Sequence, residues 1–143
     1  MLTVQPNRHN PSFQMKSLVI LKPDVYARNL ESVILSVLRD NNIIIEKAGY
    51  VDKLPLKFLK EHYAHHSDKP FFPKLLEYMQ SGKAGMMVVE DKKALMPMRK
   101  IAFKIRDLFV PETEQTKNLI HASETAEDAA AEIARAENFN LIA

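Results

Sequence analysis

Residues 17–24, SLVILKPD, contain the run that starts the predicted sheet and the turn that ends it. Ser17 to Leu21 is short, β-branched and almost wholly apolar, which is typical of a buried strand. Lys22-Pro23-Asp24 follows at once, and the proline ends the strand because it cannot donate a ladder hydrogen bond. The chain therefore enters its domain through a buried strand that stops at a polar turn.

Three further β-branched or apolar runs predict strands, and five stretches with helical periodicity separate or follow them. Pro97 must start, kink or break the helix in which it falls. The economical arrangement is α+β: a ferredoxin-like sandwich in which a four-stranded antiparallel sheet is covered by helices, which we expect over one face. The further strands are expected at 43–51, 84–90 and 118–121, and the helices at 29–40, 55–66, 70–80, 92–106 and 123–133.

Composition sets the limits on function. The chain has 143 residues, a formal net charge of +2, no cysteine and three glycines. Residues 16–143 suit a single domain, and residues 1–15 read as a flexible tail. The small charge argues against bulk nucleic-acid or membrane-surface binding, and no apolar run is long enough to span a bilayer. The shortage of glycine excludes glycine-rich phosphate loops, so side chains must hold any phosphate.

His121 is the most informative polar residue. It is predicted at the end of a short strand, just before Ser123 and a helix that carries Glu132. A histidine near a hydroxyl and a carboxylate is a candidate nucleophile or general base, although a lone histidine at a strand end is more often structural. His62 and His66 stand four residues apart, a spacing that suits either a metal site or an exposed helix face.

Several separated segments together resemble the nucleoside diphosphate kinase family. They are SLVILKPD at 17–24, HYAHHSDKPFFPKLLEYMQSG at 62–82, MVVEDKKAL at 87–95 and NLIHASETAEDAAAEI at 118–133. They occur in the family's order and cover most of residues 16–133. An ordered set of this kind is more specific than any one short motif, and the family fold it implies is the sandwich expected above.

The resemblance implies a reaction and the residues that perform it. His121 would take the γ-phosphate of ATP or another nucleoside triphosphate and pass it to a nucleoside diphosphate, by a ping-pong mechanism through a phosphohistidine. Ser123 and Glu132 would orient the histidine, and Tyr63 would pack close to it. The implied enzyme is a cytoplasmic homo-oligomer with neither a nucleic-acid nor a membrane partner.

The resemblance also implies a nucleotide site without a glycine loop. Guanidinium groups can clamp phosphate oxygens, and stacking on an aromatic ring tolerates any base. Mg²⁺ would be held through the nucleotide phosphates and water, with no protein metal site. The matching residues are Lys22 and Asn118 for the sugar, Lys22 also for the transferred phosphate, Phe71 for the base, His66 for the α-phosphate, and Arg99 and Arg106 for the other phosphates.

Two of the sequence's departures from the family bear on the site. Only six residues separate Arg99 from Arg106, where the family has a long loop with a phosphate-contacting threonine; Thr113 or Thr116 would have to replace it. Ala122 stands where the family has glycine, so the backbone beside His121 could differ. The alternative to an active kinase is thus a nucleotide-binding or scaffolding member with weak or no transfer. An RNA-binding sheet is disfavoured because SLVIL and GMMVV contain no aromatic residue.

Overall fold

The sheet has four strands, and each neighbouring pair is antiparallel. The computed structural model describes residues 15–111 and 117–142. The spatial order is β2-β3-β1-β4, in which β1 lies between β3 and β4, and β2 pairs with β3 alone among the described residues. This order confirms the ferredoxin-like sandwich. The strands are β1 (Lys16–Leu21), β2 (Ile44–Val51), β3 (Ala84–Glu90) and β4 (Ile120–Ala122).

The helices occur where periodicity predicted them, with shifted ends. The helix expected over 55–66 ends at His62 and is followed by a 3₁₀ turn at Ala64–His66. A short helix that we did not predict follows β1 directly. None of the helices in the described part of the chain is long and apolar enough to cross a membrane. The helices are α1 (Pro23–Ala27), α2 (Glu31–Asp40), α3 (Leu56–His62), α4 (Phe72–Met79), α5 (Met98–Phe109) and α6 (Ala126–Asn138).

Helices cover both faces of the sheet, and the expectation of one covered face was wrong. Leu18 and Ile20 of β1 pack in one core with residues of α3, α4 and α6. Val19 and Leu21 pack in a second core with residues of α2 and α5. Successive strand residues point to opposite faces, so an unbroken apolar strand needs cover on both sides. SLVIL is such a strand, so its sequence already requires cover on both faces of the sheet.

Pro97 resolves the ambiguity of the 92–106 region as the start of a helix. Its φ of −59° suits the residue that precedes α5, and the Asp91 carboxylate then caps the helix. Asp91 Oδ2 accepts from the Met98 N–H at 3.1 Å, and Oδ1 accepts from the Met15 N–H at 3.0 Å. Met15, which we assigned to the tail, is therefore attached to the domain. The remainder of that tail, residues 1–14, lies outside the described residues.

Candidate active site

His121 occupies the middle of β4, one position further into the strand than predicted. It pairs with Ile20 of β1, and Ile120 and Ala122 beside it are buried. Its Nε2 lies 2.8 Å from Glu132 Oε1. A carboxylate accepts hydrogen bonds and cannot donate when ionised, so it holds the proton on Nε2. Nδ1 is then the ring nitrogen with a free electron pair.

Glu132 links the histidine to the strand at the centre of the sheet. Its Oε1 also accepts from Ser123 Oγ at 2.8 Å, and that Oγ accepts from the Leu18 N–H at 2.9 Å. Burial alone would raise the pKa of Glu132, but the hydrogen bonds from His121 and Ser123 and the charge of His121 bring it below 4.5. Glu132 is therefore ionised near neutral pH and fixes the histidine's orientation through a chain of hydrogen bonds. The predicted grouping of His121, Ser123 and Glu132 is present.

A strained turn leads into β4. Leu119 is fully buried and has a φ of 68°, while the Ile120 N–H donates to the Asn118 carbonyl at 2.7 Å. Bulky residues seldom adopt positive φ, and three-residue turns of this form are rare. The Lys22 N–H donates to the Leu119 carbonyl at 2.8 Å. This turn brings the residues before His121 against the end of β1.

Lys22 and Asn118 form a side-chain pair at this turn. Lys22 Nζ donates to Asn118 Oδ1 at 2.5 Å. Burial, helped by the positive charge of Arg106, lowers the pKa of Lys22 to about 7, with Asp24 opposing the shift. A nearby negative charge favours the ammonium form of an amine, so an anion that binds beside Lys22 would raise its pKa again. The two residues predicted to share the sugar contact are therefore adjacent.

His62 and Tyr63 close the site from the end of α3. The His62 ring meets the His121 ring edge to face, with centroids 4.7 Å apart, and stacks on Phe58 on its other side. Burial, with the charge of His121, lowers the pKa of His62 well below 6.5, so it is neutral. Neither His62 Nδ1 nor the Tyr63 hydroxyl has a hydrogen-bond partner among the described residues, although both atoms are buried. Buried polar atoms gain from a hydrogen-bond partner, so this wall suits a polar ligand.

Arg99 and Arg106 lie on one face of α5, seven residues apart. Arg106 donates from Nε and an Nη to the Ile120 carbonyl, at 3.0 and 2.5 Å. Arg99 pairs with Glu124 at 3.1 Å. Burial, with the charge of Arg99, lowers the pKa of Arg106 from its usual value. A single continuous helix thus presents both predicted arginines to the same side of the sheet.

One cavity of about 620 Å³ collects most of the predicted residues. Lys22, Asn118, Phe71 and Ser123 do not line it. Ser123 lies behind Glu132, and Phe71, 42% exposed, lies beside His66 with ring centroids 5.2 Å apart. Because the Phe71 ring is exposed, a nucleotide base could stack on it, which a buried core phenylalanine would not allow. The predicted residues that line the cavity are Tyr63, His66, Arg99, Arg106, His121 and Glu132.

A histidine held by a carboxylate, in a cavity that arginines and a buried tyrosine also line, is suited to phosphoryl transfer. The comparison with known families agrees, since the family model described as nucleoside diphosphate kinase matches residues 15–136. The chain belongs to the nucleoside diphosphate kinase family. It is similar to the nucleoside diphosphate kinase of Caldanaerobacter subterraneus subsp. tengcongensis, at 36% identity over 85% of this chain and 93% of the relative. It is similar also to that of Methanobrevibacter smithii, at 35% identity over 82% and 83%.

Solved structures of the family share this fold. The apo nucleoside diphosphate kinase of Encephalitozoon cuniculi superposes with a TM-score of 0.73 at 28% identity, covering 85% of this chain and 87% of that one. The Aquifex aeolicus nucleoside diphosphate kinase gives 0.70 at 26% identity, covering 85% and 94%. The resemblance that the motifs suggested is confirmed at the level of family and fold.

The two departures from the nucleoside diphosphate kinase pattern have different outcomes. Ala122 is not among the non-glycine residues with positive φ in the described chain, so the glycine is not needed there, and the strain lies at Leu119 instead. Thr113 and Thr116 lie outside the described residues. Between Arg99 and Arg106 helix α5 is uninterrupted, where the resemblance implied that a family loop had been lost.

Sequence reasoning missed three residues of this site. His62 was considered only as a metal ligand or a surface residue, yet it is buried against His121. Glu124 and Phe103 were not singled out, although both contact Arg99. The helical spacing of Phe103 from the two arginines was the one signal available for it.

Proposed function

We propose that His121 carries the phosphoryl group in a nucleoside diphosphate kinase reaction. Nδ1 attacks the γ-phosphorus of a nucleoside triphosphate, a P–N bond forms, and the bond to the diphosphate's oxygen breaks. An oxygen of a second nucleoside diphosphate then attacks the phosphorus of the phosphohistidine, the P–N bond breaks, and the nucleotide leaves as triphosphate. The observation that carries this proposal is the hydrogen bond between His121 Nε2 and Glu132, which leaves Nδ1 as the nucleophile.

The remaining residues have supporting roles in this proposal. Arg99 and Arg106 neutralise phosphate charge, and the buried Tyr63 hydroxyl offers a donor to a phosphate oxygen. Lys22 and Asn118 serve the sugar, and Lys22 also serves the transferred phosphate. Phe71 stacks on the base, beside His66 at the α-phosphate. Stacking on a phenyl ring supports a broad nucleotide range.

Mg²⁺ is part of the proposal as a partner of the nucleotide. The carboxylates of Glu124 and Asp128 line the cavity and are oxygen donors of the kind that Mg²⁺ accepts, either directly or through water. No group of three or more metal-binding side chains occurs among residues 15–111 and 117–142, so the phosphates would supply most of the coordination. Bound in this way, the ion would neutralise charge on the terminal phosphates.

The test is acid-labile phosphate on the protein after incubation with γ-labelled ATP and Mg²⁺. We expect label on the wild type and on His65→Ala, an exposed histidine at the same cavity, and none on His121→Ala. Transfer of the label to GDP completes the reaction. Equal labelling of wild type and His121→Ala would show that another residue is the nucleophile. The scaffolding alternative predicts nucleotide binding without label; the kinases among its relatives do not favour it.

We also propose that the chain is a cytoplasmic homo-oligomer. β2 is an edge strand, and Ile44 and Ile45 on it are exposed. An open edge with apolar side chains readily pairs with another chain. Sedimentation of the wild type and of Ile45→Lys tests self-association: a monomeric wild type would contradict it. Fractionation of cells that express the chain tests its location.

A further inference from the structure

The two arginines of α5 share a single aromatic neighbour. Phe103 lies four residues after Arg99 and three before Arg106, the spacings at which side chains meet on a helix surface. The Arg99 Cζ is 5.2 Å from the centroid of the Phe103 ring, and the Arg106 Cζ is 5.3 Å from it. Both distances are within the range of attraction between a cation and a ring face.

The position of Phe103 also bears on the repulsion between the two positive charges. Two guanidinium groups on one helix face repel each other, and long arginine side chains lose much rotamer entropy when they are ordered. Each guanidinium group also has a second contact. Arg99 pairs with Glu124, and Arg106 donates to the Ile120 carbonyl. Phe103 itself is 44% exposed, so its ring is not needed to fill a core.

We propose that Phe103 is a positioning residue that holds Arg99 and Arg106 apart and in place, so that the phosphates of a nucleoside di- or triphosphate meet a preformed clamp. The inference rests on the proposed function and deepens it. Helix α5 runs without interruption from Arg99 to Arg106, and the Phe103 ring that both guanidinium groups contact keeps the two charges apart. Preorganisation improves binding because the ordering cost of both side chains is met before the ligand arrives.

Three variants at this position test the clamp. Phe103→Leu keeps an apolar side chain but has no ring face, Phe103→Ala removes both, and Phe103→Tyr keeps the ring. Leu108→Ala is the matched control, since Leu108 is 71% exposed on the same helix and does not line the cavity. Calorimetry with ADP measures affinity, and NMR of the arginine side chains in the free protein measures ring-current shifts.

We expect Phe103→Leu and Phe103→Ala to weaken ADP binding about 5- to 30-fold, from the ordering cost of two arginine side chains. The KM should rise with kcat nearly unchanged, and the ring-current shifts of both arginines should vanish. Phe103→Tyr should remain within about twofold of wild type, as should Leu108→Ala. AMP, which has one phosphate, should lose less affinity than ADP.

Wild-type ADP affinity in Phe103→Leu would overturn the proposal, as would an equal loss in Leu108→Ala. Failure of the proposed function would look different, because the wild type would then take no label from ATP. The ADP affinities and NMR shifts are measured without any turnover, so they judge the clamp separately from the phosphohistidine.

Discussion

Replacing Glu132 by glutamine tests how the site activates its nucleophile. The change keeps the size of the side chain but removes the carboxylate that accepts from His121 and Ser123, both at 2.8 Å. A hydrogen bond to a charged group is worth about 1.5–3 kcal/mol, against about 1 kcal/mol for a neutral one. The amide can also donate its NH₂ to Nε2, which would move the proton to Nδ1 and block the attacking nitrogen. Loss of the difference, about 0.5–2 kcal/mol, from the transition state slows phosphorylation about 2- to 30-fold.

The assay is single-turnover formation of phosphohistidine from γ-labelled ATP, with quenching on the millisecond scale. Glu127→Gln is the matched control. Glu127 is exposed in the first turn of the same helix, and its replacement by glutamine removes the same charge from that helix. We expect the control to phosphorylate at the wild-type rate. A Glu132→Gln enzyme that also keeps the wild-type rate would refute the tautomer argument and with it the role of Nδ1.

Three further predictions follow from burial. Nucleotide binding at pH 8 should take up about one proton. The pKa of Lys22, about 7, leaves the amine largely uncharged in the free protein, and a bound phosphate favours its ammonium form. Calorimetry in buffers of different ionisation enthalpy measures the proton uptake, and uptake that survives in Lys22→Met would contradict the prediction. Stability should fall as the pH drops below 6.5, because the unfolded chain gains a proton at His62 that the folded chain resists. In His62→Phe the denaturant midpoint should depend less on pH between pH 7 and 5, whereas a wild-type slope in that variant would exclude His62 as the cause. Gly49→Ala should cost roughly 2–3 kcal/mol, because its Cβ would stand 2.4 Å from the Leu141 carbonyl oxygen; an unchanged midpoint would show that the segment moves freely.

The sequence predicted the sheet well because its signals are local. SLVIL, IIIEKAGYV and AGMMVVE gave strands close to β1, β2 and β3, since β-branched apolar runs favour strands wherever they occur. The limits of α5 were harder to place. Pro97 indicated a start, a kink or a break in the helix, but not which of these occurs. The hydrogen bond from the Met98 N–H to Asp91, which caps the start of the helix, joins residues seven positions apart.

Six of the ten predicted site residues line the cavity, and their geometry was predicted only in part. His121, Ser123 and Glu132 were grouped because they follow one another along the chain in a strand and the next helix. The contact between His62 and His121 joins residues 59 positions apart, and no periodicity reports such a distance. We expected that the backbone could differ at Ala122, because a glycine missing from a motif is visible in sequence; the positive φ is at Leu119, and a backbone angle is not visible there.

The sequence by itself determined the family, the order of the elements and the absence of a glycine-rich phosphate loop, because residue types and their spacing carry that information. Only the tertiary structure decided which side chains share a cavity and which of them are buried. Burial makes Lys22 easy to deprotonate and keeps His62 neutral, and it depends on what the rest of the chain packs against each group. The scarcity of glycine thus predicted that side chains would hold phosphate, and packing selected the side chains.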